Sequence, residues 1–310
     1  MKHILIDSSA ILHPLKYITK GINDLDTITV GFFRKVLFLA RNFGTSNLIF
    51  TWEGTKSGFT PYRKQLYPLY KKKLDKDGNV IVEEKTDKEK EFDKACFKRF
   101  EDIRVLVEKL GFKNSFSQLG TEADDIIAKI CSEYPNDYFT VCTNDEDMFD
   151  VLKYNNSSVY MITKRDFISK TKFIKEKNID PSLWWKVKSI GGCSSDCVPS
   201  PKGVAEATAI KFINGELKEN SKKYQSIVDY PKELKIRNKR LVTIPIPQTK
   251  SVTLINEKPT FDNFMQSCYE LGLEIFINEM YNDWKAFFEI KETLSNKELR
   301  DRALERRKNA

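Results

Sequence analysis

The chain has 310 residues, with 52 Lys and Arg against 44 Asp and Glu, for a formal charge of +8. Hydrophobic residues make up 40% and aromatics 12%. That excludes a disordered chain and gives length enough for one large domain or two modest ones. No apolar run approaches the ~20 residues of a membrane span. The N-terminal segment, with Asp7 inside its one apolar run, is a poor secretory signal. Only His3 and His13 exist, which argues against histidine triads and His-rich zinc centres.

In chain order, His3 to Ile6 is a short β-type run that ends at Asp7 and is followed by Ser8 and Ser9. Residues 29–43 place Phe32, Val36, Leu39 and Phe43 on one helical face, and Gly44 stops that helix. Asn47 to Trp52 reads as a buried strand ending at Glu53, and residues 71–94 as a charge-dense interruption forming a mobile loop or exposed helices. A helix with acids in its first turn is predicted over 121–133, a strand over 138–143 ending at Asn144 and Asp145, and a further strand at 159–162. Residues 216–260 read as polar and irregular, 261–290 as aromatic-rich and helical, and the charged tail as frayed. Strands alternating with helices indicate an α/β fold with a mostly parallel sheet covered on both faces.

Carboxylates stand at or just past the ends of three of these strands. In open α/β sheets the ligand crevice lies at the carboxyl ends of the strands. Asp7, Glu53, Asp145 and Asp147 are therefore expected to converge, joined by Glu122, Asp124 and Asp125 from the helix start. So many carboxylates stay ionised together only if cations neutralise them. Hard divalent ions prefer oxygen donors, and two of them can clamp a scissile phosphate and activate a water without any histidine. The six Cys show no small-domain disulfide pattern and fit a reducing cytoplasm. A basic stretch at 62–76 (Arg63, Lys64, Lys71, Lys72, Lys73 and Lys76 against Asp75) interleaved with Tyr62, Tyr67 and Tyr70 suits phosphates and exposed bases.

These residues in this order resemble the 5′-to-3′ exonuclease and flap endonuclease family, which includes the 5′-nuclease domain of bacterial DNA polymerase I, phage 5′-exonucleases and phage RNase H. The matching segments are I-L-I-D at Ile4 to Asp7, W-E at Trp52 and Glu53, Y-R-K-Q-L-Y-P-L-Y-K at Tyr62 to Lys71, E-A-D-D at Glu122 to Asp125, T-N-D-E-D at Thr143 to Asp147, and G-C-S-S-D-C-V-P-S-P-K-G-V-A-E-A-T-A at Gly192 to Ala209. The resemblance runs from residue 4 to about 213. It implies a PIN-like catalytic domain over 1–183 with an arch near 71–95. It also implies a helix-three-turn-helix module and a helical remainder over 184–310.

The resemblance further implies two Mg²⁺ or Mn²⁺ ions. Asp7, Glu53, Glu122 and Asp124 would hold the first. Asp145, Asp147 and Asp196 would hold the second, with Asp125 a further candidate. Lys71 and Arg63 would stabilise charge on the scissile phosphate, and Tyr70 would stack on the terminal nucleotide. Lys72, Lys202, Gly203 and Lys211 would grip the DNA backbone. The implied partner is DNA with a 5′ flap or 5′ end, or an RNA–DNA hybrid, bound by a monomer without a membrane, in a bacterial or phage-infected cell. The pattern departs at Glu53 and Cys193, where the family carries Asp, and at Cys197, Ser200 and Ala205. Because sulfur is a poor Mg²⁺ ligand, Cys193 weakens the second ion. Two alternatives stay open, a primer-removing RNase H within the same enzyme class and, because of Cys193, a DNA-junction binder with little cleavage.

Overall fold

The computed structural model describes residues 1–20, 24–54, 58–73, 79–81 and 84–291. Its sheet is built from β1 (Lys2–Asp7), β2 (Leu48–Thr51), β3 (Ser115–Phe116), β4 (Tyr138–Thr143), β5 (Ser157–Met161) and β6 (Asp166–Ile168). The spatial order is β3-β2-β1-β4-β5-β6. All neighbours pair in parallel except β6, which closes one edge antiparallel to β5. The α/β expectation therefore holds.

The central strands are buried on both faces, which is why they read as continuous apolar runs. Ile4, Ile6, Leu48 and Phe50 point to one side. There they meet α1 (Ser8–Thr19), α2 (Asp26–Phe43) and, beyond the short α3 (Tyr62–Leu66), the long α4 (Asp87–Lys109). Leu5, Ile49, Phe139, Val141 and Val159 point to the other side. There they meet α5 (Ala123–Glu133), α6 (Lys170–Lys177), α7 (Trp184–Gly191) and α8 (Glu206–Ile213). Gly44 ends α2 in the left-handed conformation at φ 61°, its N–H donating to the Ala40 carbonyl. Thr86 and Glu89 form a capping box at the start of α4.

Two regions differ from the sequence expectation. Residues 216–260 are not wholly irregular, for they contain α9 (Lys222–Val228) and α10 (Lys232–Val242). In α10 only Asn238, Leu241 and Val242 are buried, so its sequence lacks a broad apolar stripe. A polar anchor holds it instead: Asn238 Nδ2 donates to the Ser189 carbonyl at 3.2 Å and the Pro199 carbonyl at 2.6 Å. The aromatic C-terminal region forms α11 (Phe261–Glu270), α12 (Glu274–Asn278) and α13 (Tyr281–Phe288), which pack onto α2. Phe33 meets Phe276 and Trp284 edge-on at 5.0 and 5.9 Å. The C-terminal helices thus complete the first core, and Trp184, Val187, Ala209 and Ile244 help fill the second. The division at residue 183 does not separate two cores. Of the expected arch, residues 74–78 and 82–83 lie outside the described residues, as does the charged tail.

From β1 the chain moves one way to β2 and β3, then returns to β4 on the other side. The order reverses between β1 and β4, and a crevice opens at such a point. Among the described residues no helix is long and apolar enough to cross a membrane.

Candidate active site

Asp7 ends β1 and caps α1, accepting from the Ala10 N–H at 3.3 Å and from Thr143 Oγ1 at 2.8 Å. Thr143, the last residue of β4, also accepts from the Asp145 N–H at 3.1 Å. The Asp147 N–H in turn donates to Asp145 Oδ1 at 2.8 Å. Asn144 Nδ2 donates to the Ala10 carbonyl at 2.9 Å. The two strand ends are therefore laced together, and their acids are fixed side by side.

Glu53 arrives from β2 by a close backbone approach. The Gly54 N–H donates to the Thr121 carbonyl at 3.0 Å, and the Gly120 N–H to the Gly54 carbonyl at 2.8 Å. A Cβ at Gly54 would fall 1.6 Å from the Gln118 carbonyl oxygen, so only glycine lets the strand end touch the turn before α5. That contact brings Glu53 beside Glu122 and Asp124. Asp7, Glu53, Asp124, Asp145 and Asp147 line one open crevice of about 1010 Å³, together with Lys71, Lys188 and Cys193.

The charges in this crevice are out of balance. Burial, then Asp145 and Asp7, raises Asp124 well above the usual carboxylate range. Burial raises Asp7 against its hydrogen bonds from Thr143 and Ala10. Burial, with Glu122 and Asp7 nearby, pushes Glu53 up to about 7 despite the pull of Lys71. Burial and then Asp147 push Asp145 up to about 7. An all-oxygen donor set short of positive charge fits a hard divalent cation.

A pH-dependent stability follows. For a carboxylate raised from about 4 to about 7, the folded state binds more protons than the unfolded one between those values, and stability falls as pH rises through that window. A divalent ion offsets the repulsion above it. The rise in Tm caused by Mn²⁺ is expected to be larger at pH 8 than at pH 5, where the ion must displace protons. Thermal melts with and without Mn²⁺ at both values measure this, and equal shifts would contradict it.

The side chains depart from three sequence expectations. Arg63 is only 3% exposed and does not face the crevice. Its guanidinium donates to both oxygens of Asp125, at 2.7 and 2.8 Å, and to the Leu241 and Thr243 carbonyls. Asp125 is fully buried and also accepts from the N–H groups of Ile246 and Glu122, so its oxygens are consumed by the fold and are not offered to a metal. Tyr70 is 2% exposed and no stacking platform. Its hydroxyl bridges Glu122 Oε2 at 3.3 Å and Asp196 Oδ2 at 3.2 Å. Burial and then Glu122 raise its pKa, which keeps the phenol a donor.

Lys71 does reach the crevice. Its backbone is left-handed at φ 56°, and its N–H donates to the Asp196 carbonyl at 3.1 Å. Its ammonium lies 3.1 Å from Glu122 Oε2. Burial opposes that charge, but Glu122, Asp196, Glu53 and Asp124 outweigh burial and hold it above the ordinary lysine range. Burial opposes the Glu122 charge, but Lys71, Arg63 and the Tyr70 hydroxyl outweigh it and pull the group below its usual range. The next residue, Lys72, is exposed, and its carbonyl accepts from the Cys197 thiol. The tyrosine-rich stretch is thereby docked on the 193–198 turn.

That turn carries the other expected ligand. Ligand atoms of Asp147, Cys193 and Asp196 lie within 4.8 Å of one another. Lys188, from α7, was not anticipated by sequence. It pairs with Asp147 Oδ1 at 2.8 Å. Lys202, Gly203 and Lys211 are exposed, and Gly203 adopts φ 72° in the turn before α8.

Comparison with known proteins agrees with this architecture. A family model described as the 5′-3′ exonuclease N-terminal resolvase-like domain matches residues 2–180. A 5′-3′ exonuclease of Halalkalibacterium halodurans is 24% identical over 215 residues, covering 68% of this chain and 65% of its own length. A zinc-bound T5 5′-exonuclease superposes with a TM-score of 0.64 at 18% identity, over 94% of this chain and all of that one. Flap endonuclease-1 from Methanococcus jannaschii gives 0.52 at 13% identity, over 92% and 93%. At these identities the two structures establish a shared fold. With the domain match extending over more than half its residues, the chain belongs to the 5′-3′ exonuclease family.

Proposed function

We propose that this chain is a divalent-metal-dependent, structure-specific 5′-nuclease that hydrolyses phosphodiesters at a 5′ end or flap junction of DNA, working as a monomer in the cytoplasm. The observation that carries the proposal is the crevice at the β1–β4 switch point, where carboxylates from strand ends and the start of α5, with raised pKa values, face Lys71. Asp7, Glu53, Glu122, Asp124 and Asp145 are the residues that would hold Mg²⁺ or Mn²⁺. When bound, such an ion neutralises phosphate charge and makes a water more acidic.

The chain's own residues do the rest. Lys71 presents a preorganised cation to the phosphate oxygens. Tyr70 and Arg63 act behind it, holding Glu122 and Asp196 in place. Lys72, Lys202 and Lys211, with the exposed turn at Gly203, contact backbone phosphates without reading sequence. Six free cysteines fit a reducing compartment.

A substrate panel tests this reading. With Mg²⁺ or Mn²⁺, purified protein is expected to cut a 5′-flap DNA and to lose that activity in EDTA. Preferential cutting of an RNA–DNA hybrid would favour primer removal. Tight flap binding without cleavage under any metal would replace the nuclease with a junction binder, the reading that Cys193 favours.

A further inference from the structure

The two sides of the crevice carry different donors. Towards β1 and β4, Asp7, Glu53, Asp124 and Asp145 offer carboxylate oxygens only. On the α7 side the donors are Asp147, Cys193 and Asp196. One of these is sulfur, a soft atom that Mg²⁺ and Mn²⁺ accept poorly in place of oxygen. Both carboxylates there already have partners. Asp147 Oδ1 holds the Lys188 ammonium at 2.8 Å, and Asp196 Oδ2 accepts from the Tyr70 hydroxyl at 3.2 Å.

Lys188 is not a loose surface lysine. Its side chain is 13% exposed, and its ammonium also sits 5.2 Å from the Trp184 ring centroid. Cys193 is equally fixed. It is 8% exposed, exchanges backbone hydrogen bonds with Val198 at 2.9 and 3.0 Å, and places its sulfur 3.0 Å from Ser195 Oγ.

Resting on the nuclease reading above, we infer that Lys188 supplies the fixed positive charge on the Asp147 side, so that the crevice takes up one hard divalent ion, beside Asp7 and Asp145, where two carboxylate-lined sites would take up two. A second hard ion would have to share Asp147 with the ammonium, against its charge, and accept sulfur in a shell that demands near-octahedral oxygen. An ammonium cannot activate water as a metal does. It can neutralise the carboxylate and donate charge-assisted hydrogen bonds to a phosphate oxygen. Lys188 is thus a positioning residue that fixes the charge of its side of the crevice.

Counting bound Mn²⁺ by loss of the free-ion EPR signal tests the inference without any cleavage assay. The unmodified protein and Lys188→Arg are expected to bind one ion per chain. The Lys188→Met/Cys193→Asp double variant, which removes the ammonium and restores an oxygen donor, is expected to bind two. Cys193→Asp alone keeps the ammonium and is expected to stay at one, which decides the matter even if the double variant does not fold. Two ions in the unmodified protein or in Cys193→Asp, or one in a folded double variant, would overturn the inference and leave the nuclease reading standing. No ion in any of the proteins would overturn that reading and this inference with it.

Discussion

Replacing Arg63 by alanine is expected to lower unfolding free energy by about 3–5 kcal/mol, the cost of leaving one member of a buried ion pair without its partner. Asp125 is fully buried, and its two oxygens take both terminal nitrogens of the guanidinium. The same guanidinium reaches two carbonyls at the end of α10, so the pair ties α3, α5 and the residues after α10 to one point. In a thermal melt the loss corresponds to a fall of roughly 5–10 °C. Lysine at this position should recover little, since a point charge cannot reproduce the fork. Replacing both partners with apolar residues of similar volume should recover much of the loss, because neither buried charge is then left alone. An Arg63→Ala protein with unchanged melting but abolished cleavage would show that the guanidinium acts on the phosphate after all.

Lys71→Ala should behave in the opposite way. Its side chain is 38% exposed at the crevice. Removal of one preorganised charge from a reacting phosphate costs about 10²–10³ in rate. The expected result is a cleavage rate lower by that factor, with flap affinity changed only a few-fold and melting in the presence of Mg²⁺ unchanged. Single-turnover cleavage and a binding titration on the same flap separate the two quantities. Equal loss of affinity and rate would make Lys71 a simple phosphate contact.

Arg63 and Lys71 stand eight residues apart in one basic, tyrosine-rich run, and sequence reasoning gave them the same role. What separates them is a partner 62 residues from Arg63, the buried Asp125. Nothing local marks one carboxylate of Glu122-Ala-Asp-Asp as structural and its neighbour as a crevice acid. Helical geometry decides it, turning Asp124 towards the crevice and Asp125 into the core. The strand-end acids were legible for the reverse reason. A short apolar run that stops at Asp7, or two residues short of Asp145, fixes both the strand and the end at which its acid emerges.

Gly54 left only a weak trace, since a glycine after a strand usually marks a turn. Here it marks a backbone contact that sets Glu53. Lys188 left none, because in Trp-Trp-Lys-Val-Lys it reads as an ordinary helix lysine. Its meaning depends on Asp147, on a different element. The charged α10 was missed because a polar Asn238 anchor leaves no periodic signature.

On the nuclease reading, the carboxylates at the β1–β4 switch point hold the ion on which cleavage depends. The most direct measurement is single-turnover cleavage of a 5′-flap DNA against Mg²⁺ concentration, comparing the unmodified protein with Asp145→Asn. Saturable, Mg²⁺-dependent cleavage is expected from the first, and a loss of at least about 10²-fold at undiminished flap affinity from the second. Cleavage by Asp145→Asn at the unmodified rate, or cleavage indifferent to Mg²⁺ in either protein, would contradict it.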